Sequence, residues 1–260
     1  MILLIDLDSV LYTSVYRVVG VSSMREAISM FGKEGAKHWL NEEVYNEGIN
    51  RCENDLLKIQ NHIQSQMINE ITGVELFITT CSNSFRKKIY PDYKKSRKRN
   101  NYVWLLRSHY QMNGAHHSDT LEADDLIAQR AKELGKDNYI VVSIDKDLKQ
   151  IGGYYWSYYK QKSKDSYGNL VLNDYGVAET EYKQKAIDYI TDDEADRLFW
   201  TQMLMGDNSD NIKGLHRVGV KTAEKILSES VVHWIRTARE YISRGQKEDF
   251  KINYKLLKLG

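Results

Sequence analysis

The sequence predicts an α/β fold: a largely parallel sheet flanked by helices, followed by a helical C-terminal part. Three observations predict it. Short apolar runs recur at Ile2 to Ile5, at Val74 to Thr79 ("VELFIT") and at Tyr139 to Ile144 ("YIVVSI"), each closing on polar residues. Short, mostly apolar runs of this kind read as buried parallel strands. Between them lie helix-patterned stretches such as Arg51 to Ile71 and Leu121 to Leu134, the long crossovers that parallel strands need. Beyond about Thr191 the strand signals stop and helical patterns continue to the end.

The elements follow in order. The first strand runs into "DLD", which sets Asp6 and Asp8 two residues apart. From about Gly20 to Ile71 the chain offers no motif that can be placed. After the second strand, Arg86 to Arg99 reads "RKKIYPDYKKSRKR", net +7 in a chain of net +1. A charge run alone is most simply a solvated face, but Tyr90 and Tyr93 among the bases suit a single-stranded nucleic acid. The tyrosine-rich "YYWSYYKQ" and the later "NLVLNDYG" are expected to pair as a hairpin.

Composition excludes several classes. No apolar stretch approaches the ~20 residues of a membrane span. Asp6 interrupts the N-terminal run before it could serve as a signal-peptide core. Cys52 and Cys81 lack metal-ligand spacing, so a reduced chain in the cytoplasm is expected.

Carboxylates gather where strands end and helices begin: Asp6 and Asp8, then Glu122, Asp124 and Asp125 in "EADD", then Asp145 and Asp147 in "SIDKDLKQ". In open α/β sheets the carboxyl ends of the strands are where ligands bind. Asp207 and Asp210 in "MGDNSDNIKG" are spaced i, i+3, which would share one helical turn. Singly, each group has a structural explanation. "EADD" could complement a helix dipole, and "GDNSDN" could be a helix end and turn. Together they would repel one another unless cations held them. Magnesium suits the all-oxygen donor set, and no His/Cys cluster competes for zinc. On a regular helix Glu122 lies nearer Asp125 than Asp124, a conflict that disappears if the helix starts only after Glu122.

The ordered set Asp6, "FRKKIYPDYKKSR", "LEADDLIA", "SIDKDLKQI" and "LMGDNSDNIKGLHRVGVKTAEKIL" resembles the 5′-nuclease family, which includes flap endonucleases, polymerase I 5′-exonuclease domains and stand-alone phage exonucleases. The resemblance implies a PIN-like core over residues 1–190, with a basic arch at 84–111, and a helix-three-turn-helix subdomain over 191–260. It implies a monomeric, stand-alone phage-type enzyme, placed in the host cytoplasm if phage-encoded. That enzyme would hydrolyse DNA at a 5′ end or a single-strand/duplex junction, with RNA/DNA hybrids as a further substrate. Two Mg2+ ions, replaceable by Mn2+, would be held by Asp6, Glu122, Asp124 and Asp145 and by Asp147, Asp207 and Asp210. Asp124 ranks above Asp125 through the resemblance alone. Arg86, Lys94 and Arg97 would steer the 5′ strand, with Lys94 and Arg97 on one helical face. Gly214, Gly219, Lys221 and Thr222 would meet duplex phosphates, near a K+ ion on backbone carbonyls. The family's further aspartate after the second strand is missing, because "TTCSNS" has no carboxylate, and Asp8 is the candidate to replace it.

A haloacid-dehalogenase-like phosphatase is the first rival, because "LLIDLDSVLY" resembles that family's first motif. The spacing of Asp207 and Asp210 and the basic segment do not fit it. A non-catalytic DNA binder of the same fold would gain nothing from crowding acids beside phosphates, and a PIN-type ribonuclease leaves "VGVKTA" unexplained.

Overall fold

The structure, a computed structural model, describes residues 1–18, 21–97, 101–162, 164–171, 180–183 and 186–260. Strand β1 (Ile2–Asp6) runs directly into α1 (Leu7–Val18), and α2 (Val21–Ser65) follows with a kink at Gly32, whose φ of 68° an L side chain rarely adopts. The stretch without a chemical motif is thus largely this helix. Then come β2 (Gly73–Phe77), the short α3 (Phe85–Ile89), α4 (Asn101–Met112) and α5 (Ala123–Leu134). Five strands follow: β3 (Tyr139–Val142), β4 (Gly153–Trp156), β5 (Tyr159–Lys162), β6 (Thr180–Lys183) and β7 (Asp188–Ile190). The C-terminal elements are α6 (Asp192–Met205), the two-residue strands β8 (Gly206–Asp207) and β9 (Ile212–Lys213), α7 (Val220–Ser228), α8 (His233–Ser243) and α9 (Lys247–Leu257).

The main sheet has the order β2-β1-β3-β4-β7, parallel throughout except for the antiparallel β7. The expected mainly parallel α/β fold is therefore present. Successive residues of a strand face opposite ways. Leu3, Ile5, Ile140 and Val142 accordingly pack beneath α1, α2 and α4, against Leu11, Ile59 and Leu106. Leu4, Tyr139 and Val141 pack on the other side, with Ile127 and Ala131 of α5. Each fully buried Leu or Ile contributes about 1.5–3 kcal/mol, and both faces are covered. A third cluster gathers Met203, Leu204, Leu227, Tyr241 and Leu256 from the C-terminal helices, and Tyr93 of the basic segment belongs to it. No described helix is long and apolar enough to cross a membrane.

Two expectations need correction. The "YYWSYYKQ" stretch does not form one hairpin arm. Tyr154 to Trp156 join the main sheet beside β3, and β5 pairs antiparallel with β6 (180–183) rather than with 169–176. Leu170 makes one antiparallel bridge to Lys164, and residues 172–179 lie outside the described residues. Trp156 and Tyr158, on either side of the break between β4 and β5, are both buried in the core. The second correction concerns the C-terminal part, which holds the small β8–β9 ladder, too short to leave a strand pattern.

Candidate active site

The acids arrive from five places. Asp6 is the last residue of β1, and Asp8 sits in the first turn of α1. Helix α5 begins at Ala123, with Glu122 as its N-cap and Asp125 completing a capping box, so Asp124 is free of the cap. The helix thus starts after Glu122, the condition that removes the conflict within "EADD". Asp145 and Asp147 follow β3, where the Asp145 carboxylate accepts from the Asp147 amide at 2.9 Å. Asp207 and Asp210 flank the β8–β9 turn.

The ionisation of these acids shows which of them are neighbours. Asp6 is 6% exposed and accepts from Ser143 Oγ at 2.7 Å. Burial first, then the charges of Asp8 and Asp145, push its pKa up to about 7 against the relief from Ser143. Asp124 is raised well above the usual carboxylate range by burial and then by Asp6 and Asp145. Asp147 rises to about 6 through burial and Asp145, with a smaller push from Asp207, although Gln202 Nε2 donates to it at 2.7 Å. Asp6, Asp124 and Asp145 thus form one electrostatic group, and Asp145, Asp147 and Asp207 form an overlapping one.

A basic wall faces them. Lys94 Nζ lies 2.6 Å from Glu122 Oε2 and 3.6 Å from Asp210 Oδ2, and Arg97 donates to Asp210 Oδ1 at 2.5 Å. Tyr93 OH stands between the two acids, 2.9 Å from Glu122 and 3.0 Å from Asp210. Burial disfavours the Glu122 charge, but Lys94, Arg86 and Tyr93 outweigh it and hold the carboxyl below its ordinary range. The structure therefore brings Glu122 to Asp210 through Lys94 and Tyr93.

Several sequence expectations are overturned. Arg86 is 2% exposed and forms a two-pronged pair with Asp125, one prong Nη2 to Oδ1 at 2.7 Å, while its Nε donates to Leu256 O at 2.7 Å. Held on both oxygens and itself only 2% exposed, Asp125 is closed off from the site as a metal ligand, and a guanidinium this deep is not a phosphate ligand. Lys94 and Arg97 do not share a helical face, because residues 91–96 are turns and Lys94 has φ 53°. Asp210 instead brings the two cations together. Tyr93 is 2% exposed and presents no face for base stacking.

Asp207 and Asp210 are not on a helix either. Asp207 Oδ1 accepts from the Ser209 amide at 2.7 Å and the Asp210 amide at 3.3 Å, a side-chain turn that satisfies the same i, i+3 spacing. Gly214 is glycine for an internal reason, since a Cβ there would lie 2.1 Å from the Met205 carbonyl carbon and 2.3 Å from Gly206 N. Gly214→Ala is expected to cost at least the ~1–3 kcal/mol of an overpacked core, read as a lower midpoint in urea with an unchanged slope. Gly219 is exposed and caps α7, with Lys221 and Thr222 exposed in the first turn and no side-chain cap.

Sequence reasoning missed the hydroxyl role of Tyr93, together with Ser143, Gln202 and Arg107. Arg107 Nε donates to Asp8 Oδ1 at 2.7 Å, and Asp8 Oδ2 accepts from the Thr79 amide at 3.2 Å.

Among the described residues, no three His, Cys, Asp or Glu side chains form a group that could hold a metal ion as they stand. The acids are neighbours by charge without forming a closed cage. Their chemistry fits a hard divalent cation, because the donors are carboxylates whose raised pKa values record burial first and then mutual repulsion, both of which a cation would offset.

No protein-family model matches the chain. The chain is 30% identical over 190 residues to a 5′-3′ exonuclease of Aquifex aeolicus, covering 67% of this chain and 60% of that protein. It is 29% identical over 221 residues to DNA polymerase I of Borreliella burgdorferi, covering 74% of this chain and 22% of that protein. It is also 28% identical over 159 residues to flap endonuclease Xni of Shewanella loihica, covering 55% and 54%. The chain thus spans less than two thirds of each relative's length. The bacteriophage T5 D15 protein co-crystallised with metal ions superposes with a TM-score of 0.60 at 14% identity, over 98% of this chain and 88% of that one. A T5 D15 flap endonuclease complex with DNA and metal ions gives a TM-score of 0.56 at 14% identity, over 98% and 88%, and the fold is shared. In sequence this chain is similar to 5′-3′ exonucleases and a flap endonuclease, and it shares its fold with the T5 D15 protein.

Proposed function

We propose that the chain is a divalent-metal-dependent 5′-nuclease that hydrolyses DNA phosphodiester bonds at a 5′ end or a single-strand/duplex junction. One observation carries the reading: Asp6 at the end of β1, Asp124 at the start of α5 and Asp145 after β3 crowd one another, while Lys94, which draws on the Asp124 charge, and Arg97 are held beside them on Glu122 and Asp210. Asp6, Asp124 and Asp145, with Glu122, would hold one Mg2+, and Asp147, Asp207 and Asp210 a second, Mn2+ being able to substitute. Two such ions supply activation of water and stabilisation of charge on the leaving oxygen.

The chain's own residues do the rest. Ser143 orients Asp6, and Gln202 orients Asp147. Lys94 and Arg97, held on Glu122 and Asp210, are the cations a scissile phosphate would meet on entry. Within the C-terminal part, the start of α7 would take the duplex, its open amides and exposed Lys221 and Thr222 favouring a phosphate. The K+ ion on carbonyls ahead of α7 is read from the family resemblance alone.

Asp8 would serve the place after β2 where no carboxylate exists. The support is geometric, because its Oδ2 is tied to the Thr79 amide just beyond that strand. Asp8→Asn should raise the Mg2+ concentration for half-maximal cleavage by ~10–100-fold, the scale for a lost metal-supporting group. Wild-type cleavage at low Mg2+ would remove this role.

The test of the reading uses 5′-labelled blunt, flapped and RNA-primed duplexes, with Mg2+ or EDTA, beside a small phosphomonoester. Mg2+-dependent release of short 5′ products is expected. Turnover of the phosphomonoester alone, or tight DNA binding without hydrolysis in Mg2+ or Mn2+, would overturn it.

A further inference from the structure

A cavity of about 570 Å3 opens between α6, α8 and α9, lined by none of the acidic-site residues. Its floor is Trp200, 7% exposed, whose ring lies nearly parallel to Phe250 at 6.3 Å and tilts against Tyr254 at 6.0 Å. Its mouth is formed by Val231, 96% exposed, and Trp234, 56% exposed. Single exposed apolar residues are ordinary, but a concave aromatic floor rimmed by exposed Val and Trp is the composition of a binding patch.

The charges at this cavity are unequal in availability. Asp196 is already engaged: Trp200 Nε1 donates to its Oδ1 at 2.8 Å, and His233 Nδ1 lies 2.8 Å from its Oδ2. Along the rim, Lys247, Lys251 and Lys255 of α9 recur every four residues and are all exposed, so they share one face. Lys251 has a neighbour in Glu248 at 2.8 Å, but both side chains are more than half exposed, and such a surface pair exchanges easily.

We propose that this cavity docks an acidic peptide segment of a partner protein, with a bulky aliphatic or aromatic anchor in the cavity and acids along the α9 lysines. The volume lies within the roughly 300–1,000 Å3 of small-ligand sites, and buried aromatic anchors dominate such contacts. The lysine stripe supplies the complementary charge, which governs encounter rate and salt dependence. A single-stranded nucleic acid fits less well. Stacking needs a row of open ring faces, whereas Trp200 is sunk beneath valines and the acids Asp196 and Glu248 stand beside the site.

The test selects a random-peptide display library on the full chain, with counter-selection against the Trp234→Ala and Lys255→Glu variants. Both positions are exposed, and a thermal melt verifies that the variants fold. Enriched peptides should converge on Asp/Glu beside a large apolar residue. A labelled lead should bind at least tenfold more weakly to either variant and more weakly as salt rises, while DNA cleavage stays unchanged. Enriched peptides without the acid-plus-anchor pattern, equal binding to the variants, or displacement of the lead by oligothymidylate of matched charge would overturn the proposal.

Discussion

Replacing Arg86 with alanine lowers the unfolding free energy by about 3–5 kcal/mol, the cost of leaving a buried carboxylate without its partner. At roughly 2–4 °C per kcal/mol for a chain near this size, the midpoint falls by about 6–20 °C. Asp125 is 2% exposed, so no water replaces the guanidinium, and the carbonyl of Leu256 loses its donor as well. The pair joins α3, α5 and the C-terminal segment, so its loss should loosen the packing of α9. A double variant, Arg86→Met with Asp125→Leu, should recover most of the stability, because matched apolar residues replace a buried ion pair at little cost. A phosphate-binding Arg86 would behave in the opposite way: an unchanged midpoint, weaker DNA binding and a shallower salt dependence.

Asp124→Asn should reduce single-turnover cleavage by ~10²–10³-fold, since losing several kcal/mol of metal-borne stabilisation is worth that much in rate. DNA affinity should hold or rise, because a negative charge is removed beside phosphates. The melting midpoint without metal should not fall, since Asp124 is crowded by Asp6 and Asp145 and its neutralisation relieves repulsion. Lys94→Ala should instead weaken both cleavage and binding. Equal loss of binding and cleavage in Asp124→Asn would move this residue out of the metal-holding group.

The apolar runs of β1 and β3 were legible because those strands are buried on both faces, and their shortness and β-branched content favour strand over a buried helix. β2 was legible as a strand but not as an edge, since position in a sheet is a property of pairing. Asp207 and Asp210 show the limit of spacing arguments. The same interval fits a helical turn and a side-chain turn, and the backbone chose the latter between β8 and β9. Arg86 and Lys94 sit in one charge run and look alike in sequence. Their fates differ because Asp125 reaches the first from within the core, and Glu122 with Asp210 reaches the second at the site. Tyr93 was noticed for its ring, whereas its hydroxyl does the work by joining two acids that are distant in sequence.

The central claim is that the acidic groups at the strand ends hold divalent ions. Counting Mn2+ bound to the wild-type chain, from the loss of the free-ion electron paramagnetic resonance signal, tests it without relying on turnover. The expected result is two ions per chain, displaced by Mg2+, with one lost in Asp147→Asn and a weakened remainder in Asp124→Asn. Binding no greater than in a variant lacking both carboxylates would contradict the account.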